Sequence, residues 1–179
     1  MNLERGSILA LAALVWSLAL QCLAATTPLQ TDLEYSVKAN YLVRFAAFVE
    51  WPSQSFADSR SPVVICVVGR DPFNDALERA AHAQTAYGRP LAVRRPGTVD
   101  AAAGCHILYV GRGGGALVPS GQRPILLVTD GAVSSDRGMI HFVVSADRVR
   151  FHIDLQAASR SRLSISSRLL NLALSVRGG

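Results

Sequence analysis

His141 and His152, with Asp154 close behind, are the residues whose types and spacing point most directly to chemistry. Met139–Val144 and Val149–Asp154 flank Ser145, Ala146, Asp147 and Arg148, the pattern of two strands joined by a hairpin turn. A two-residue and a four-residue loop give the same register. In that register His141 stands opposite His152, and Asp154 follows on the same face. Ile140, Phe142, Val144, Val149, Phe151 and Ile153 share the other face, so the register is well specified. Two imidazoles beside a carboxylate make a pH-responsive patch, or three ligands of a divalent metal. Val143 and Met139 also occupy that face and a fourth ligand is missing, so no metal is expected. A structural or solvated histidine pair is the plain alternative.

The second candidate is the run Gly111-Arg-Gly-Gly-Gly-Ala116, placed directly after an apolar segment. Gly113, Gly114 and Gly115 would let backbone amides approach an anion, as phosphate loops do. The lysine and hydroxyl residue of a P-loop are absent, and so is the glycine order of a dinucleotide fingerprint. An ordinary flexible loop therefore stands beside a ligand-contacting one. No GxSxG or HExxH motif occurs, and no cysteine lies beside a base. The serines of 159–167 read as helix caps, Asp71 as a cap and Asp130 as a turn acid. Catalysis and a bound cofactor are not expected.

These candidates need elements to position them. Thr31-Asp-Leu-Glu34 is a capping box that opens a helix. Leu33, Val37, Tyr41, Phe45 and Phe48 continue it as an apolar stripe, widened by Leu42, Ala46 and Val49. Glu34 and Lys38 form a favourable i,i+4 pair, and Trp51-Pro52 ends the helix. Phe48 and Trp51 read as core aromatics, or as anchors of a partner interface. Residues 63–68, all apolar and mostly β-branched, read as a strand buried on both faces. Asp71 and Pro72 then open a helix with Phe73, Ala76, Leu77, Ala80 and Ala81 on its core side. Leu91–Arg94 reads as a short strand and Thr98–Ala103 as a short helix, while residues 106–110 and 124–130 are further buried strands. Leu155–Val176 reads as helical, with a break near Leu163 and Ser164. Strand–helix alternation implies a three-layer, Rossmann-like α/β domain. It would have a largely parallel sheet flanked by helices and a C-terminal antiparallel hairpin.

Half of the 179 residues are apolar and 17% are charged, which excludes a disordered chain. Residues 7–25 carry no charge. With Arg5 before the apolar run Ile8–Leu20 and Ala24 and Ala25 after it, they read as a secretory signal peptide over residues 1–25 rather than a membrane anchor. Cys22 raises a lipoprotein signal, but Gln21 stands where a small residue is needed. Residues 26–179 then form a single domain outside the cytoplasm, with no stable membrane insertion. Cleavage removes Glu4 with Arg5, so the net charge of +5 stays with the folded part. Its arginines are scattered, and no nucleic acid partner is expected. Two cysteines remain, Cys66 and Cys105. In an oxidising compartment an even count reads as a disulfide, with two buried thiols the alternative.

Two separated segments carry a family resemblance. Val37-Lys-Ala-Asn-Tyr-Leu-Val-Arg-Phe-Ala-Ala-Phe-Val-Glu-Trp-Pro52 resembles the first mature helix of the YfiR-like periplasmic regulators. Gly138-Met-Ile-His-Phe142, Val149-Arg-Phe-His-Ile-Asp-Leu155 and Leu163-Ser-Ile-Ser-Ser-Arg-Leu-Leu-Asn-Leu-Ala173 resemble the closing segment of that family. The Cys66 and Cys105 spacing fits its structural disulfide. His152-Ile-Asp154 departs from the common Glu-Ile-Asn, and the second cysteine pair of some members is absent. The resemblance implies a periplasmic repressor, without enzymatic activity. It would bind the periplasmic domain of an inner-membrane diguanylate cyclase, lower cyclic-di-GMP and biofilm formation, and form a homodimer. The alternative is a periplasmic small-ligand-binding accessory module of a sensor kinase or transporter.

Overall fold

Val63–Val68 (β2) becomes a central strand because both of its faces find apolar cover. Val63, Ile65 and Val67 point into one hydrophobic cluster, whereas Cys66 and Val68 point into another. That is the period-two alternation of a strand sandwiched between two layers. The computed structural model describes residues 28–99, 101–114, 123–131 and 137–178. Asp32–Gly179 forms one compact unit, which is the one described below. The expected signal peptide, Cys22 and Gly115 lie outside the described residues. Among the described residues no helix is long and apolar enough to cross a membrane.

The other strands of the main sheet are β3 (Thr85–Ala86), β4 (Arg89–Arg94), β5 (Ile107–Val110), β6 (Leu126–Asp130), β7 (Ile140–Ser145), β8 (Arg148–Asp154) and β10 (Ser175–Arg177). Their spatial order is β10-β8-β7-β6-β5-β2-β4-β3. The β2–β4, β2–β5, β5–β6, β6–β7 and β8–β10 pairs are parallel, and β7–β8 is the antiparallel hairpin. The fold is thus the mixed α/β architecture expected from strand–helix alternation, a mostly parallel sheet flanked by helices. The hairpin register is also as expected, with His141 opposite His152 and Phe142 opposite Phe151. Its loop is the two-residue form, Ala146 and Asp147, both at positive φ (49° and 56°).

Helix α1 (Pro28–Phe45) lies on the first face of the sheet, but its buried side differs from the expected stripe. Tyr35, Lys38, Ala39, Leu42, Val43, Phe45 and Ala46 are buried, whereas Leu33 is 66% and Val37 37% exposed. A periodicity reading leaves a lysine out of the core, and that shifts the inferred face. The helix also ends at Phe45 rather than at Trp51. Three tightening turns follow, and Val49–Glu50 (β1) pairs antiparallel with Ser164–Ile165 (β9). The backbone groups of that pair find partners across the chain instead of along a helix.

The same competition reshapes the end of the chain. Leu155–Arg160 (α3) and Ser167–Leu170 (α4) are helical, but Ser164–Ile165 and Ser175–Arg177 are strands. Helix α2 (Ala76–His82) starts later than expected. Asp71 accepts the Phe73 N–H (2.8 Å) in a local turn instead of capping a helix. The expected helix over 98–103 is not formed by its described residues: 98–99 and 101–103 lie in bends and turns, with the Ala102 N–H bonded to Val99 O and the Cys105 N–H to Ala102 O. These turns bring Val99, Ala102 and Cys105 onto the second face of the sheet.

Candidate functional site

Chain connection fixes where an open parallel sheet leaves room for function. The chain runs outward from β2 to β4, then returns to place β5 on the other side of β2. The carboxyl ends of β2 and β5 are therefore the switch point, where such sheets usually form a ligand crevice. The glycine run follows β5 at that point. Its Gly111 N–H donates to Val68 O (2.8 Å), and the Arg70 N–H donates to Arg112 O (2.8 Å). A Cβ added at Gly111 would lie 2.3 Å from Arg70 O, and one at Gly114 would lie 2.8 Å from a Val110 methyl. Gly111 and Gly114 are thus explained by close approach of the loops after β2 and β5. Gly113, at φ 75°, has open space around it.

The histidine pair is assembled as expected, with a division of labour the sequence does not show. His141 is buried, and its Nδ1 lies 2.8 Å from Thr129 Oγ1, which also accepts the Gly138 N–H. His152 is half-buried, with Nδ1 2.6 Å from Ser175 Oγ on β10. Burial, then the charge of Arg137, holds both imidazoles below the ordinary histidine value. Asp154 is committed elsewhere. Its Oδ1 accepts the Ala157 N–H at the start of α3, and its Oδ2 pairs with Arg177. Burial works to raise its pKa, but those bonds outweigh it and hold the carboxyl low. The three residues line a cavity of about 120 Å³ with Arg137, Gly138, Ser175 and Arg177. Among the described residues no three His, Cys, Asp or Glu side chains converge as metal ligands.

One charged cluster is only half legible in the sequence. Lys38 is fully buried, and its Nζ donates to Asp130 Oδ2 (2.6 Å) and to Glu34. The Tyr109 hydroxyl donates to the same Asp130 oxygen (3.2 Å), and the Tyr35 ring lies 4.6 Å below the ammonium. Desolvation, then the Asp130 charge, pushes Tyr35 up to about 12 and raises Tyr109 as well. Both phenols therefore stay protonated donors. The Glu34–Lys38 spacing was the legible half of this cluster; Asp130 reads as a turn acid until β6 is laid beside β5.

Cys66 and Cys105 form a disulfide with Cα atoms 5.9 Å apart, tying β2 to the turn that enters β5. Next to it, His106 is buried and saturated. Its Nδ1 accepts the Val64 N–H (3.0 Å), so its Nε2–H donates to Ser55 O (3.1 Å). Desolvation lowers its pKa, which agrees with a neutral ring. Phe56 stacks on it at 4.4 Å, and Trp51 meets it edge-on while donating its indole N–H to His106 O (3.2 Å). Trp51 and Phe48 are each half-buried. Phe48 packs on the core, and its carbonyl accepts the Ser166 N–H.

With this geometry in place, comparison with known proteins adds one match. A family model described as YfiR/HmsC-like matches residues 35–174, well over half of the chain. No curated protein matches it.

Proposed function

Since this chain belongs to the YfiR/HmsC-like family, we propose that it is a periplasmic regulator of diguanylate cyclase signalling. In this reading it binds the periplasmic sensor domain of an inner-membrane diguanylate cyclase and holds the enzyme inactive. Cyclic-di-GMP and biofilm formation fall as a result. The observation that carries the reading is the extent of the match, which spans nearly all of the unit from α1 to the approach to β10. The Cys66–Cys105 disulfide supports it, because such bridges persist in oxidising compartments. Repression of this kind is binding, not chemistry: the protein must prefer the inactive state of its partner. Moving a cyclase from almost fully active to almost fully inactive takes a preference of about 10⁴-fold. Phe48 and Trp51, which keep part of their rings outside the core, belong to the proposed interface, and a homodimer is the proposed form.

The test is co-purification with the periplasmic domain of a candidate cyclase, joined to cyclic-di-GMP measurement in a deletion strain. A complex and a rise in cyclic-di-GMP on deletion are expected. No complex together with unchanged cyclic-di-GMP defeats the reading. A second reading, a small-ligand accessory module of a sensor kinase or transporter, is favoured by one observation, the cavity beside the disulfide.

A further inference from the structure

His106 joins the entry of β5 to two other segments. Both backbone groups of Val64 bond to it: the His106 N–H donates to Val64 O (2.9 Å), and the Val64 N–H donates to His106 Nδ1 (3.0 Å). Three further contacts hold residues 51–56. The ring Nε2–H donates to Ser55 O (3.1 Å) in the turn Ser53–Ser55, Phe56 stacks on the ring at 4.4 Å, and the Trp51 indole N–H donates to His106 O (3.2 Å). The other ties of this segment are the packing of Trp51 and Phe56 on the core and Arg89, whose guanidinium lies 4.0 Å from the Phe56 ring. Residues 53–54 and 57–60 are exposed.

The Val64 bond admits one protonation state of the ring. A backbone N–H only donates, so Nδ1 must keep its lone pair. A second proton would set two N–H donors against each other and leave the buried Val64 N–H region without an acceptor. The groups that face the ring do not offset such a charge. Arg89 on β4 adds a like charge, and the Cys105 sulfur is held in the disulfide. The cavity of about 320 Å³ that His106 also lines has Arg123 and Arg162 on its wall and no carboxylate. Desolvation lowers the affinity of the ring for that proton, the Ser55 carbonyl works against the fall, and Arg89 adds to it.

We propose that His106 is an acid-sensitive latch, closed by the neutral ring and opened by its second proton, that frees residues 51–56 from the entry of β5. Opening returns the ring to water, where a histidine titrates at about 6.5. Below that pH the open form binds one proton more than the closed form, so the open-to-closed ratio rises by up to about tenfold per pH unit. Acid therefore opens the latch and neutral pH closes it. The effect on a partner rests on the regulatory reading above, in which Trp51 belongs to the interface, and acid would then loosen the complex. The latch itself is a property of the isolated protein.

The experiment is amide hydrogen exchange followed by NMR on the oxidised full chain at about pH 7.5, 6.5 and 5.5, with each rate corrected for its intrinsic pH dependence. The proteins are wild type, His106→Asn and the double variant His141→Asn with His152→Asn. Asparagine Oδ1 can accept the Val64 N–H and does not titrate. In wild type the protection of the Val64 amide should fall by about threefold or more from pH 6.5 to 5.5. At the lower pH it should exchange faster than Leu108 and Leu127 on β5 and β6, the mark of local opening rather than global unfolding. His106→Asn should lose this pH dependence and the double variant should keep it. If His106→Asn does not fold, the wild-type comparison of Val64 with Leu108 and Leu127 still decides. A fall of less than about threefold overturns the proposal. So does Val64 exchange no faster than that of Leu108, or a pH dependence that persists in His106→Asn or vanishes in the double variant. A latch that opens in a protein forming no cyclase complex leaves this inference standing and defeats only the regulatory reading; a complex without the latch does the reverse.

Discussion

Replacing Lys38 by methionine tests whether the buried ion pair organises the core under α1. The side chains of Lys38 and Asp130 are 0% and 1% exposed, so neither charge can turn to water when the other is removed. Glu34, at 24%, can do so, and its loss of Lys38 is therefore cheap. Methionine fills much of the lysine volume, so the cost falls mainly on the stranded Asp130 carboxylate. Breaking a buried pair from one side costs about 3–5 kcal/mol. For a domain of this size each kcal/mol lowers the melting temperature by about 2–4 °C, so a fall of about 6–20 °C is expected. The Tyr109 hydroxyl still donates to Asp130, which places the expected value toward the lower half of that range. Urea unfolding followed by circular dichroism on wild type, Lys38→Met, Asp130→Asn and the double variant completes a thermodynamic cycle. The double variant should lose less than the two single losses added together, by about 1–3 kcal/mol. A Lys38→Met cost below about 1 kcal/mol, the level of an exposed pair, refutes the reasoning. Strict additivity within about 0.5 kcal/mol refutes it equally.

Three other outcomes follow from the same structure. Reduction, or Cys66→Ser, opens a bridge spanning a sequence separation of 39 residues. The chain-entropy model puts the loss at about 4 kcal/mol, and a wild-type melting curve unmoved by reductant contradicts it. His106, His141 and His152 are all held below the ordinary histidine value, chiefly by burial. The unfolded chain then binds more protons as pH falls through about 6.5, so their contribution is present above that pH and lost below it. The urea midpoint should fall on acidification from about pH 7.5 to about 5.5, and His106→Asn should flatten the slope; a midpoint that rises would reverse the sign. Ala146 and Asp147 both sit at positive φ in the hairpin turn. Changing them to Asn and Gly should add about 1–2 kcal/mol at an unchanged m-value, and no gain would mean the turn is not strained.

The sequence by itself determined what local pattern can determine. Val63–Val68, Ile107–Val110 and Leu126–Asp130 are strands within the expected apolar runs 63–68, 106–110 and 124–130, because such runs have little polar face to expose. The hairpin register, and with it the pairing of His141 and His152, followed from alternation that places six apolar residues on one side. The family was also legible, since the residues that resemble it lie in local stretches, one from α1 to Trp51-Pro52 and the others from β7 to just past α4, and the family match spans residues 35–174.

Tertiary structure decided what depends on partners distant in the chain. Lys38 reads as a surface charge until Asp130, 92 residues away, arrives beside it. The side of α1 that faces the core carries Lys38, while Leu33 and Val37 are exposed. The residues at 49–50, 164–165 and 175–177 have helical neighbours but become strands, because pairing across the chain satisfies more backbone than a lengthened helix would. The glycine run follows β5 as the sequence implies, yet only the packing of two loops shows that backbone contact accounts for Gly111 and Gly114. The cavity lined by Ser55, Cys105, Arg123 and Arg162 lies at the other end of the sheet. No spacing in the sequence marks it, because its walls come from four separate segments that only the folded sheet brings together.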